Sequence, residues 1–511
     1  MKHLKKIMSL ILTAIMVIAM CVPVMAANGT GTITMSGSDN SHTYSIYQIL
    51  IGDYAGGKLS NVKWGSATDK SGTNVTDTEL AAFTALSNNA QATADAVNAY
   101  VKNNAVATDT IVGNGSAIVP TGYYVIRDSY IDQDVAQSVS THIVKVVGDV
   151  TVTPKVGVPT SDKKVDDKND SNTNENNVEW KDSADYDIGD AVPFRLHGTL
   201  PENFNSYSSY KYIFHDTESA GLTFNADSVV VKVDNIIVPE ANNYEVIYPA
   251  THNDNTNCTF EVKFNNLKAL KGDDGNDITV TNSSNIYVYY TSTLNTNAVI
   301  GSAGNPNEMY LEYSNNPNAG GEGDTDKTPK DKVIVFTYKV VANKTDGNTA
   351  LTGAAFELFK KVVTVDATGQ TSEAWVSRGK VGLNSDGKSD NTTTTFEWAG
   401  LDDGDYKIVE ILTPSGYNTI ADQYFTVTAT HDLDSDNPTL TNLSGNTTTG
   451  EIIFTPNKNQ GSLTADVVNK QGSQLPETGG IGTTIFYVVG VVLMLGAGVL
   501  LITKRRMSAK H

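Results

Sequence analysis

Alternation of apolar and polar positions dominates this chain. Period-two runs of β-branched and aromatic residues cover Thr30–Met35, His42–Leu50, Gly122–Ile126 and His142–Val147, and this period predicts strands with one face buried. One segment breaks the pattern: Thr78 to Val101 is Ala-rich with helical spacing, and Asp77 is placed to cap it. A second strand-rich stretch starts at Tyr186–Leu196 and continues through Tyr212–Phe224, Ile286–Tyr290 and Tyr310–Pro317. A third starts with Val333–Lys344, read as one strand, and runs through Leu351–Phe359 and Gly404–Tyr417 to Leu463–Asn469. The polar segment Ser161–Asn177 reads as a loop or edge insertion, and Asn318–Lys332 as a linker.

Two apolar runs have no alternation, and they sit at opposite ends. Ile7 to Val24 follows Lys2, Lys5 and Lys6 and precedes Ala26 and Ala27, which is the build of a secretory signal peptide. Ile481 to Thr503 is long enough to cross a hydrocarbon core, which takes about 20 helical residues. Lys504, Arg505, Arg506 and Lys510 follow it and would stay on the cytoplasmic side. A chain of 511 residues exceeds one core, so about three domains are expected between these ends.

Charge narrows the range of partners. The chain has 57 acidic and 37 basic residues; seven of the basic ones lie in the two terminal segments, leaving 30 between them and a formal charge of about −27. Such a surface excludes nucleic acid as a natural partner. Only Cys258 survives removal of the signal segment, which holds Cys21, so no intrachain disulfide can form. An exported chain without disulfides needs another source of robustness.

Immediately before the apolar C-terminal run stands Leu475-Pro476-Glu477-Thr478-Gly479. Pentapeptide, membrane-length segment and basic tail in this order resemble the cell-wall sorting signal of Gram-positive surface proteins. The resemblance implies cleavage by a sortase between Thr478 and Gly479 and transfer of the Thr478 carboxyl to an amine. Upstream, Tyr44–Leu50, Lys63-Trp64-Gly65 and Thr121–Tyr124 resemble the N-terminal domain of sortase-assembled major pilins. Val152-Thr153-Pro154-Lys155 is similar to the pilin motif, with Thr153 where the family has Tyr, and implies Lys155 as the acceptor amine. The second strand-rich stretch resembles the isopeptide-forming domain of fimbrial shaft proteins, and Gly404–Tyr417 resembles the E-box of collagen-adhesin B-type sandwiches.

These readings predict a mainly β protein of tandem immunoglobulin-like sandwiches, the first domain β-rich with one helical segment. The expected segments are a signal peptide at 1–26, domains at 27–155, 156–320 and 331–474, and a sorting signal at 475–511. The family resemblance also implies internal Lys–Asn amide cross-links. A buried lysine loses its proton because desolvation disfavours the ammonium, and it then attacks an Asn carboxamide with loss of ammonia. A carboxyl kept neutral by the same burial assists, and folding supplies the proximity. By resemblance the third domain assigns these roles to Lys344, Asn469 and Glu410, and the second to Lys164, Asn315 and Asp216. Lys163 competes with Lys164, and Glu218 with Asp216, since adjacent strand residues face opposite sides and either register is open.

Other matches carry no chemistry. Gly382–Ser389 fits a phosphate-loop pattern, but the strand-like Asp390–Phe396 follows instead of a helix. Asp432–Asp436 begins like a calcium loop, yet Asn437 replaces the required Gly and no Glu closes it. No hydrolase constellation, metal site or cofactor motif is recognised. The expected function is a covalently polymerised pilus shaft subunit, not a conventional enzyme, with pilus-type and housekeeping sortases, identical subunits and peptidoglycan as partners. A wall-anchored adhesin that binds a host or matrix ligand without polymerising is the alternative.

Overall fold

The computed structural model describes residues 29–472 and 481–508, apart from 39, 56–57, 86–92, 94–95, 131–137, 155–156, 172–177, 249–257, 318–324 and 367. The signal segment, Lys155 and Leu475–Gly479 lie outside the described residues. Strands dominate, as the alternation predicts, and they form three successive two-sheet domains.

In the first domain the strand Thr30–Met35 lies between Ser116–Pro120 and Val150–Val152. Facing it is a five-stranded sheet centred on His42–Ala55 and Gly122–Tyr130. Ile33, Tyr44, Ile46, Val119, Tyr124 and Ile126 fill the space between. The helix Asp77–Ala85 is part of the expected helical segment, and its Phe83 packs on Trp64 at the outer side of the larger sheet.

The second domain packs two seven-stranded sheets face to face. One contains Ser161–Asp166, Ala191–Gly198 and Ile286–Leu294 as neighbours. The other contains Tyr212–Glu218, Asn305–Ser314 and Asp331–Phe336. Two sequence expectations are corrected here. Ser161–Asp166, placed in a polar loop, is an inner strand, because Val165 points into the core and draws its neighbours into the sheet. Val333–Lys344 is two strands rather than one. Asp331–Phe336 pairs with Asn305–Met309 in the second domain, and the chain crosses at Thr337 into Tyr338–Thr345 of the third. The third domain therefore begins at Tyr338 and not at 331. The expected linker likewise holds a short strand, Thr325–Lys327, paired with Glu312–Ser314.

The third domain sets a four-stranded sheet, built on Tyr338–Thr345 and Ser462–Val468 in parallel, against a five-stranded one. Phe356, Phe396, Tyr406, Phe425 and Leu463 are in its core. Leu383 and Ser389 bridge across the phosphate-loop look-alike, which is a turn leading to the strand Thr395–Leu401. Beyond the third domain the helix Ile481–Ser508 contains a stretch, Ile485–Arg505, of 21 residues that is long and apolar enough to cross a membrane and is not buried against the protein.

Candidate functional sites

The second domain buries a lysine at its centre. Because Val165 faces the core, alternation turns Lys163 inward and Lys164 outward. Lys163 Nζ donates to Asp216 Oδ2 and, at 2.7 Å, to Tyr290 Oη. Lys163 and Asp216 are both fully shielded from solvent. The Tyr290 hydroxyl also accepts Asn307 Nδ2 at 2.9 Å, so the lysine amine and the Asn307 carboxamide share one acceptor. Asn307 Oδ1 and Asp216 Oδ1 are buried with no hydrogen-bond partner. The rings of Phe194 and Tyr290 flank the amine, each with its centroid 5.2 Å from Nζ.

Electrostatics follow from this dryness. Burial lowers the Lys163 pKa against the pull of Asp216, and burial raises that of Asp216 against the pull of Lys163. Both groups are driven toward their neutral forms. Glu218, the alternative acid, is pushed up to about 8 by burial and by Asp216. It accepts from Ser292 Oγ and, at 3.5 Å, from Asn307 Nδ2. Asp216 is thus the acid in contact with the lysine.

Lys164 and Asn315 are elsewhere. Lys164 pairs with Asp182, whose backbone N–H and other carboxylate oxygen bind Leu433 O and Ser435 N of the third domain. Asn315 lies just past the end of its strand, six residues beyond Met309, which opposes Asp216. That separation is roughly 20 Å in an extended strand. Its carbonyl instead accepts Val139 N at 2.8 Å and Ser138 Oγ at 3.1 Å from the first domain. The inward residues of the strand are Asn305, Asn307, Met309, Leu311 and Tyr313. Asn307 was missed, although its spacing of two, four and six from Met309, Leu311 and Tyr313 marks the buried face.

In the third domain the three expected residues come together. Lys344 lies opposite Val467 on parallel neighbouring strands, and Asn469 follows two residues later with its N–H bonded to Thr345 O at 3.0 Å. Asn469 Nδ2 donates to Glu410 Oε1 at 2.7 Å, and Glu410 Oε2 accepts Ile420 N at 2.9 Å. Asn469 Oδ1 is buried without a partner. Lys344 Nζ donates to Thr345 O at 2.9 Å and Val467 O at 3.0 Å, and burial lowers its pKa against the opposing charge of Glu410.

A family described as the LPXTG cell wall anchor motif matches residues 467–508. The SpaA prealbumin-like fold domain matches residues 338–442. The solved structure of the T6 backbone pilin of serotype M6 Streptococcus pyogenes, itself a modular three-domain protein, superposes with a TM-score of 0.52 at 18% identity, covering 88% of this chain and all of that one. The chain has the fold of a backbone pilin. The trypsin-resistant surface T6 protein of Streptococcus pyogenes serotype M6 is 26% identical over 390 residues, which span 62% of this pilin-like chain and 65% of that relative. The full-length major pilin SpaD of Corynebacterium diphtheriae is similar at 17% identity and a TM-score of 0.48, covering 88% of this chain and 98% of that one. The anchor match adds to that fold the cell-wall anchoring motif of Gram-positive surface proteins.

Proposed function

We propose that this chain is the shaft subunit of a covalently polymerised pilus. Sortase cleaves between Thr478 and Gly479, joins the Thr478 carboxyl to Lys155 of the next subunit, and the finished polymer is attached to peptidoglycan. The observation that carries the reading is the LPXTG anchor match at 467–508 on a chain with a three-domain backbone-pilin fold. In the sequence Lys155 comes three residues after Val152, the last residue of the strand that closes the first domain.

Each subunit is further stabilised by two internal amide bonds, Lys163–Asn307 with Asp216 as the assisting acid and Lys344–Asn469 with Glu410. In each, the neutral lysine amine attacks the carboxamide carbon and ammonia leaves. The amine loses a proton and the departing nitrogen gains one, so the acid ends unchanged. Dry surroundings and a carboxamide oxygen without a partner support this chemistry at both places. Each bond forms once per chain, a single turnover that makes no conventional enzyme of it. Each bond ties an early strand to a late one and closes a loop of over a hundred residues, worth about 4 to 5 kcal/mol by analogy with disulfide loop entropy.

Boiled cell-wall extracts test the assembly. Wild-type chains should run as a ladder of multimers, and Lys155→Ala should collapse it to monomer. Wild-type extracts holding monomer alone would instead favour a wall-anchored adhesin that never polymerises.

A further inference from the structure

The joint between the second and third domains buries an unusual concentration of acid. Lys360 Nζ is fully buried and pairs with Asp187 and Asp402 at 2.9 Å each, and with Asp170. Arg378 reaches Asp187 at 2.6 Å. These two cations serve the trio Asp170, Asp187 and Asp402, whose carboxylate oxygens lie within 4.8 Å of one another. A second trio, Asp185, Asp402 and Asp403, has the same spacing. No lysine or arginine among the described residues forms an ion pair with Asp185 or Asp403.

Asp185 is the decisive member. It is only 3% exposed, and its Oδ2 is buried with no hydrogen-bond partner. The nearest cationic group is His431 Nε2, 3.9 Å away on the Oδ1 side. Asp402 is also buried, its Oδ1 accepting Asp403 N at 2.7 Å and its Oδ2 accepting Lys360. Asp403 accepts Asn169 Nδ2. The buried Tyr338 hydroxyl has these same three carboxylates as charged neighbours. Carboxylates out of water either keep a proton, as burial favours for Asp402 and Asp403, or need a partner of opposite charge, since desolvating the anion costs several kcal/mol. Lys360 meets that need for the first trio; in the second it reaches only Asp402, and leaves Asp185 and Asp403 without a lysine or arginine partner.

We propose that Asp185, Asp402 and Asp403, with the Tyr338 hydroxyl beside them, bind a calcium ion between the second and third domains. An all-oxygen, multiply charged donor set without sulfur or imidazole suits a hard cation, and calcium tolerates irregular geometry where magnesium demands an octahedron. Asp185 comes from the second domain, Asp402 and Asp403 from the third. The ion would therefore tie the two domains at a joint that any force along the chain must cross. Extracellular modules bind calcium with dissociation constants of about 0.1 to 1 mM, and that range is expected here. The site stands apart from the amide cross-links and does not depend on polymerisation.

Calorimetric titration of the full detergent-solubilised chain, first stripped with EDTA, tests this with calcium chloride alone. Binding of one ion per chain is expected, with a rise in melting temperature at about 1 mM calcium. Asp185→Asn and Asp403→Asn should each weaken binding at least tenfold. They should also raise the melting temperature of the stripped protein by relieving repulsion, an inversion that a merely structural carboxylate would not give. Terbium supplies a readout independent of those variants' folding. Its emission, excited through tyrosine, should fall in Tyr338→Phe and be competed away by calcium. No binding up to 5 times about 1 mM, or undiminished binding in both Asn variants, would overturn the site.

Discussion

Lys163 Nζ donates to Asp216 Oδ2 with neither side chain reaching solvent, at the centre of the second sandwich. Its neighbour Lys164 points the other way, to Asp182 at the domain joint. The two lysines therefore make separable predictions. Peptide mapping of the digested chain should recover the Lys163 peptide joined to the Asn307 peptide, lighter by about 17 Da than their sum, the mass of the expelled ammonia. Lys163→Ala should abolish that species and Lys164→Ala should leave it intact. The reverse pattern would return the cross-link to Lys164.

Asn307 carries the second prediction, against Asn315. Asn307 and Lys163 meet on the Tyr290 hydroxyl, whereas Asn315 serves the contact with Ser138 and Val139. Asn307→Ala should remove the cross-link and lower stability by about 4 to 5 kcal/mol from loop entropy alone. Asn315→Ala should keep both the cross-linked peptide and the native mass loss. A cross-link that survives in Asn307→Ala rules this pairing out.

In the third domain Glu410 holds the Asn469 carboxamide by its Nδ2 and is itself held by Ile420 N. Glu410→Ala should leave Lys344 and Asn469 in place and unjoined. The digest should then contain the Lys344 and Asn469 peptides separately, and chemical denaturation should show the third domain weakened by about 4 to 5 kcal/mol. Recovery of the joined peptides at the wild-type level would mean that another group assists.

The sequence made the sandwiches legible because each strand is solvated on one face, and period-two alternation survives in Ile286–Leu294 and Gly404–Leu412 with little interruption. Lys344, Glu410 and Asn469 were named by family resemblance rather than by alternation, and in the fold each continues a buried alternation at i−2. The second domain was harder. Lys163 has only Val165 to mark its face, and the surrounding residues are all polar or charged. Asn315 sits on the same parity as Asn307, so alternation could not separate them; only the register against Asp216 does. The change of domain at Thr337 was hidden because Val333–Phe336 is apolar and Tyr338–Ala342 is apolar but for Lys339, and nothing local records that they enter different sheets. The acidic joint escaped notice because its members are spread from Asp167 to Asp403 and meet only when two domains pack.

His215 offers a prediction about pH. It is buried between Glu261, 2.8 Å from its Nδ1, and Glu312, 3.1 Å from its Nε2, with Cys258 Sγ 3.6 Å from Nδ1 and Tyr310 stacked at 4.4 Å. Burial by itself would lower its pKa, but hydrogen bonds with Cys258, Glu261 and Glu312 outweigh that and raise it from 6.5 to about 10. A raised folded-state value means that the native protein binds the proton more tightly than the unfolded chain. The resulting stabilisation is complete below pH 6.5, the unfolded value, and is lost as pH climbs through about 10. Denaturant midpoints of the second domain should accordingly fall between those limits. His215→Gln should be less stable than wild type at pH of about 6, and the gap should narrow toward a pH of about 10. Equal pH slopes in wild type and variant would show that the imidazolium contributes nothing to the fold.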